Sequence, residues 1–192
     1  MGSIGYTTPL NTRDAIHDYV VTQALMPEHQ IVAYNIAATG QGRWSWSYVG
    51  YYAIRDGEGD VFCVTFLASK RNGEFVVKTV DETMGPGATD QIAEKVLKAL
   101  PPTDSKWATD WRAGCWELIR KRKQAKKALR KLLETGGEVD LVRPLSYSGA
   151  GEVTRVWVGP DGSWYTTDRL HRLTPMPRPW EHLALVPDHT EA

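Results

Sequence analysis

A run of cations in the second half of the chain offers the clearest chemistry. Residues 120 to 131 hold eight Lys or Arg and no acid. A solvated helix normally interleaves Glu, because like charges four residues apart repel each other by a few tenths of a kcal/mol. The run therefore favours an anionic partner, either a phosphate backbone or an acidic protein surface such as this chain's own N-terminal part. A solvated helix between two domains is the alternative. The candidate contact residues are Arg120, Lys121, Lys123, Lys126, Lys127, Arg130 and Lys131.

A second candidate site centres on the carboxylates that follow a hairpin pattern. Asp81 and Glu82 are adjacent, and adjacent residues at a strand end point to opposite faces, so they do not form a catalytic carboxylate pair. One of them could contact a metal or cation, or cap the next helix; a plain turn at Gly85-Pro86 is the structural alternative. His17 lies one helical turn after Asp14, within contact distance. The candidate ligand residues are Tyr6, Thr7, His17, Asp81, Glu82 and Thr83.

The motifs of known enzyme classes are missing from the sequence. There is no GxSxG, no HExxH and no Walker loop, and Cys63 and Cys115 have no metal-ligand spacing. We predict no catalytic residue, no metal and no cofactor, and we favour a binding protein over an enzyme. An enzymatic or ligand site around Tyr6–Thr8 and Asp81–Thr83 stays open.

Charge divides the chain into three segments that must position these residues. Residues 1–103 hold 8 Lys/Arg against 11 Asp/Glu, residues 104–135 hold 10 against 4, and residues 136–192 hold 5 against 8. We predict an α+β domain over residues 4–103, a long basic connecting helix over 104–137, and a small β-barrel-like module over 138–187.

The first segment predicts a small, mostly antiparallel sheet with a helix on one face. Asn11 or Thr12 suits the N-cap of a first helix, and Asn72-Gly73 indicates a hairpin. A second helix is predicted over Ala88–Leu100. The predicted strands are Ile31–Ala38, Trp44–Arg55, Val61–Ala68 and Phe75–Val80.

The basic helix is predicted over Ser105–Leu133, with a narrow apolar seam interrupted at Arg122 and an end at Gly136-Gly137. Short strand patterns after it suit a small barrel of SH3-like size. They are Val139–Leu145, Val153–Val158, Trp164–Thr167 and Leu183–Val186. Such modules bind peptides or nucleic acid, and their aromatic residues suit either role.

Several short motifs occur in order along most of the chain. They are Gly5-Tyr6-Thr7-Thr8, Asp81-Glu82-Thr83-Met84-Gly85-Pro86, Pro101-Pro102-Thr103, Trp107-Ala108 and Trp111-Arg112. Together they resemble a family of small uncharacterised proteins from phages, plasmids and their bacterial hosts. The family's opening Met-Gly pair would align with Ile4-Gly5, so three residues precede it here. The resemblance implies an accessory protein of a mobile element, with countering of host defence as one role.

The predicted function is therefore binding of nucleic acid or another acidic partner through the basic helix. The alternatives are an inhibitor that contacts a host protein without nucleic acid, and a small-ligand site. No secretory signal and no apolar stretch of about 18 residues occurs, so we expect a cytoplasmic protein of the bacterial host without a membrane partner.

Overall fold

The computed structural model describes residues 4–6, 10–38, 46–71, 74–85, 91–144 and 151–173. The chain forms two compact units, Met1–Ile119 and Arg120–Ala192. The boundary lies inside the long helix. The division of the sequence into three segments, with this helix as a segment of its own, stays a prediction.

The first unit is built on a five-stranded antiparallel sheet, which confirms the α+β class. Its order is β1-β5-β4-β3-β2. Arg71 pairs with Glu74 at the end of the β4–β5 hairpin, and Asn72 and Gly73 between them lie outside the described residues. The strands are β1 (Ile4–Tyr6), β2 (Gln30–Ala38), β3 (Trp46–Arg55), β4 (Val61–Arg71) and β5 (Glu74–Asp81).

Helices cover both faces of this sheet, whereas the sequence predicted a helix on one face. The cause is visible in β3, where all of Tyr51–Ile54 are at most 1% exposed, so that both faces of the strand are apolar. Each large side chain buried in this way contributes about 1.5–3 kcal/mol. One core contains Ile16, Tyr19, Val20, Tyr52, Ile54 and Phe66. The other contains Tyr51, Cys63, Val96, Leu97, Trp111 and Cys115.

The first helix, α1 (Arg13–Tyr19), begins at its predicted cap. The Thr12 hydroxyl accepts a hydrogen bond from the Ala15 amide at 3.1 Å, and a π-helical segment, Val20–Ala24, continues the helix. The second helix, α2 (Glu94–Lys98), is shorter than predicted, because residues 91–93 are not helical. Residues 88–90 of the predicted helix lie outside the described residues. Gln91 has a φ of 66°, outside the helical region. The Asn35 side chain holds the Gln91 carbonyl and the Ala93 amide, so the helix cannot begin earlier.

The long helix α3 runs from Lys106 to Thr135, which confirms the predicted helix. Ser105 accepts from the Ala108 amide at its start. Gly136 follows its last residue with a φ of 69°, a left-handed conformation that commonly ends a helix and that glycine adopts without strain.

The second unit holds a four-stranded antiparallel sheet of order β6-β7-β8-β9. The short strand β9 did not appear in the sequence analysis. β6 and β9 are the edges and are not paired with each other, so the sheet is open as far as the structure describes it. The predicted strand Leu183–Val186 lies outside the described residues, and the SH3-like barrel stays a prediction. The strands are β6 (Gly137–Pro144), β7 (Gly151–Val158), β8 (Trp164–Tyr165) and β9 (Arg172–Leu173).

Candidate functional site

The cations of the run lie on the surface of the second unit. All seven candidates, Arg120, Lys121, Lys123, Lys126, Lys127, Arg130 and Lys131, are exposed. Five of them form what we call the basic face: Arg120, Lys123, Lys127, Arg130 and Lys131. With about 100° of rotation per residue, these five lie about 100–200° around the helix from Leu129. They extend over about 16 Å of helix, and Lys121 and Lys126 flank them.

The opposite side of the same helical stretch is the apolar seam. Ala125 and Leu129 are 3% and 8% exposed, and Leu129 packs in a core with Val156, Val158 and Trp164. Arg122, which interrupts the seam in the sequence, is half-buried. The seam fixes the rotation of the helix about its axis, and this rotation turns the basic face toward solvent.

An aromatic pocket lies in the same unit, at the turn between β7 and β8. It has a volume of about 480 Å³ and is lined by Trp157, Gly159, Pro160, Asp161, Tyr165 and Arg169. Trp157 and Tyr165 are paired across the strands, and their ring centroids are 5.8 Å apart. The Arg169 guanidinium lies 4.5 Å from the Trp157 ring centroid, a cation–π contact.

The carboxylates of Asp161, in this pocket, and Asp168, beside it, accept hydrogen bonds from residues of their own turns. The Asp161 Oδ1 accepts from the Ser163 amide at 2.9 Å, and hydrogen bonds from Ser163 lower the pKa of Asp161. Asp168 accepts from the Thr166 hydroxyl and from the Leu170 amide at 3.0 Å. These two hydrogen bonds lower the pKa of Asp168, and the bond from Thr166 has the larger effect. Both side chains therefore stay ionised and hold the pocket loops in shape.

No sequence pattern indicated this pocket. No motif or charge cluster marked Arg169 as a binding residue, because it is a single cation in a turn. The alternation in Val153–Val158 could have shown that Trp157 faces away from Val156 and Val158, which are buried. Trp157 and Tyr165 would then have been expected on one face, half-exposed.

At the second candidate site, the Asp81 and Glu82 carboxylates accept hydrogen bonds from other residues of the first unit. The Asp81 Oδ1 accepts from both the amide and the hydroxyl of Thr83, each at 2.7 Å. Glu82 is 2% exposed, and both of its carboxylate oxygens accept from Arg112. Its Oε1 also accepts from the Cys63 amide at 2.8 Å. Asp81 and Glu82 thus accept hydrogen bonds from different partners, and the cation that Glu82 contacts is Arg112.

The remaining candidates lie elsewhere in the first unit. Tyr6 pairs with Phe75, six residues or about 20 Å along the strand from Asp81, and Thr7 lies outside the described residues. The His17 Nδ1 is 3.2 Å from the Tyr52 hydroxyl. Asp81 is in the same cross-strand row as Tyr52, but two strands and about 10 Å away. The structure thus brings together Asp81 and Thr83, and leaves Tyr6 and His17 apart from them.

A cavity of about 320 Å³ lies beside His17. The ring of His17 stacks on Tyr34 at 4.3 Å between centroids, and Lys95 Nζ is 5.4 Å from the Tyr34 ring. Burial, and secondly the nearby Tyr34, raises the pKa of Tyr52, so its hydroxyl stays protonated and forms a hydrogen bond with the His17 ring. The cavity is lined by Arg13, Asp14, His17, Tyr34, Asn35, Ile36 and Lys95.

In the described ranges, no three His, Cys, Asp or Glu side chains are grouped so that they could hold a metal ion. No helix in that part of the chain is long and apolar enough to span a bilayer. Comparison of the chain with protein-family models, with curated proteins and with solved structures finds no match.

Proposed function

We propose that the protein binds nucleic acid through the basic face of α3. The observation that carries this proposal is the alignment of Arg120, Lys123, Lys127, Arg130 and Lys131 on the exposed side of one helix. Cations spaced along about 16 Å of rigid helix can contact successive phosphates of one strand. The buried seam opposite them holds the helix in one orientation, so these cations are presented together.

The charges of the two units support the same interpretation. Residues 120–192 hold 13 Lys/Arg against 9 Asp/Glu, whereas residues 1–119 hold 10 against 14. The chain is neutral as a whole, so its attraction to polyanions depends on this segregation. Binding through phosphates is independent of base sequence and weakens steeply with salt.

The resemblance to phage and plasmid proteins supports a broader assignment. The proposal places the protein among accessory proteins of mobile elements that act in the cytoplasm of the bacterial host, with countering of host defence as a role. It includes a second unit of small-barrel, SH3-like type. An inhibitor that contacts a host protein without nucleic acid is the competing proposal, and retention of the same host protein after nuclease treatment would favour it.

The direct test measures binding of a fluorescent DNA strand of about 16 nucleotides, the upper end of the site size of small binding domains. Fluorescence anisotropy is followed over a range of salt concentrations. The variant Arg120→Gln, Lys123→Gln, Lys127→Gln, Arg130→Gln removes four cations and keeps good helix formers. We expect its affinity at low salt to fall at least tenfold. The slope of log K against log salt should become shallower by about 3, at about 0.7 per lost contact.

A matched control removes two Arg and two Lys from the first unit. The variant Arg13→Gln, Arg55→Gln, Lys78→Gln, Lys106→Gln changes four exposed residues and the net charge equally. It should keep the salt slope of the wild type. Absence of salt-dependent binding in the wild type, or equal losses in the two variants, would refute a contact through the basic face.

A further inference from the structure

The aromatic pocket of the second unit has a form that phosphate binding alone does not explain. Trp157 and Tyr165 lie on one face of the sheet and are half-exposed, while their neighbours Val158 and Trp164 are buried on the other face. An aromatic pair of this kind at a solvent-facing position offers a surface on which flat ligands stack. The volume of about 480 Å³ is in the range of small-ligand pockets.

Arg169 adds a second planar group, and its backbone is held in place. Its φ is 61°, and its amide donates to the Thr166 carbonyl at 2.8 Å. On the other side, the Asp168 carboxylate accepts from the Leu170 amide. The guanidinium is therefore positioned over Trp157 without a ligand. A cation at this place disfavours a cationic guest, such as a methylated lysine, and favours a flat group attached to an anion.

The pocket adjoins the end of the basic helix. A Cβ on Gly136 would lie 3.0 Å from the Trp157 Cζ2 and 3.2 Å from the Pro160 Cδ, so the residue that ends α3 lies against the pocket wall. Gly136 is five residues, or about 7.5 Å along the helix axis, beyond Lys131. The proposed phosphate contacts and the pocket thus lie in one unit.

We propose that this pocket holds an unpaired nucleobase, so that the protein prefers single-stranded nucleic acid. The proposal rests on the nucleic-acid binding proposed above and narrows its substrate class. A base in a duplex is stacked and paired, and it cannot enter a pocket. An unpaired base can stack on Tyr165 or on the guanidinium plane, which are the groups that proteins use for single strands.

The test compares three ligands that contain a strand of the same length. They are a single strand of about 16 nucleotides, the same strand in a duplex, and an abasic strand that keeps the sugar-phosphate backbone. We expect the wild type to bind the single strand at least tenfold more tightly than either of the others. The base-containing strand should also quench tryptophan fluorescence more than the abasic strand. These comparisons need no variant and so do not depend on the folding of one.

Two variants then locate the base. Tyr165→Leu keeps an apolar residue in β8, and Arg169→Asn keeps a residue that tolerates the left-handed backbone. Each should lower the affinity for the base-containing strand about fivefold or more, since one stacked base contributes about 1–3 kcal/mol. Tyr165→Leu should leave the affinity for the abasic strand unchanged, which also shows that this variant is folded. Arg169→Asn also removes a positive charge, so its affinity for the abasic strand should fall, but less than its affinity for the base-containing strand.

The outcomes separate this proposal from the one it rests on. Equal affinity for the abasic strand, or for the duplex, overturns the base pocket and leaves phosphate binding intact. The base pocket is also overturned if Tyr165→Leu lowers the affinity for the abasic strand as much as the affinity for the base-containing strand. Absence of salt-dependent binding to all three ligands overturns the nucleic-acid proposal itself.

Discussion

Glu82 and Arg112 form a buried ion pair with two parallel hydrogen bonds of 2.6 and 2.8 Å. The guanidinium also donates to the Pro101 carbonyl. Glu82, Pro101 and Arg112, one residue from each of three sequence motifs, thus meet at one cluster. The pair ties the end of β5 to α3, and this link gives the cluster a structural role in the first unit.

We expect Arg112→Leu to lower the free energy of unfolding by about 3–5 kcal/mol, because it leaves the Glu82 carboxylate buried without its cation. Urea denaturation would measure the change. The double variant with Glu82→Leu should be more stable than Arg112→Leu alone, because it removes the buried charge as well. As a control in the same unit, Lys98→Gln breaks the exposed pair with Glu94 and should cost at most about 1 kcal/mol. Equal losses of unfolding free energy in Arg112→Leu and Lys98→Gln would show that the buried pair stabilises the fold no more than an exposed pair.

The Cys63 thiol should be inert in the folded protein. Burial, followed by the negative charge of Glu82, raises the pKa of Cys63, and only the thiolate is nucleophilic. Cys115 is also buried. A chromogenic disulfide reagent should therefore react with both thiols only as fast as the protein unfolds, and faster in Arg112→Leu. A rapid reaction of one equivalent in the native wild type would contradict this.

The sequence predicted those parts of the fold that depend on local patterns. The Thr12 cap, the strands β2 to β5 and the glycine end of α3 each follow from residues within a few positions of one another. The exposure of the basic face was also predictable, because Ala125 and Leu129 recur at helical spacing and leave the cations on the other side.

Contacts between distant residues explain what the sequence did not show. The short α2 results from Asn35, which holds the backbone at Gln91 and Ala93 from more than fifty positions away. Arg112 gave no sign that it would neutralise Glu82, 30 residues earlier. The pocket brings together Trp157 and Arg169 through two turns whose relative position depends on strand pairing.

Tyr52 should make the protein less stable in alkali. Its pKa is raised above the ordinary value of 10.0 in the folded state, so above about pH 10 the unfolded chain loses this proton while the folded chain keeps it. Stability from this group is complete below pH 10 and falls as the pH rises further. Tyr52→Phe should therefore show a shallower fall in unfolding free energy above pH 10. An equally steep fall above pH 10 in Tyr52→Phe and in the wild type would contradict this.

Replacement by alanine should change the unfolding free energy in opposite directions at Gly114, inside α3, and at Gly136, just after its end. Gly136 has a left-handed backbone, which costs an L-residue about 1–2 kcal/mol, and its new Cβ would press on Trp157. Gly114 lies inside the helix, and a Cβ there meets no atom within 4 Å. Gly114→Ala should raise the unfolding free energy by about 0.5–1 kcal/mol, whereas Gly136→Ala should lower it by at least about 1 kcal/mol.

The same pair of variants connects stability with binding. Because Gly136 adjoins the pocket wall, Gly136→Ala should weaken binding of the base-containing strand, while Gly114→Ala should leave it unchanged. Denaturant unfolding and anisotropy would be measured on the same samples. Weaker stability without weaker strand binding in Gly136→Ala would mean that the end of α3 supports the fold of the second unit but does not shape the pocket.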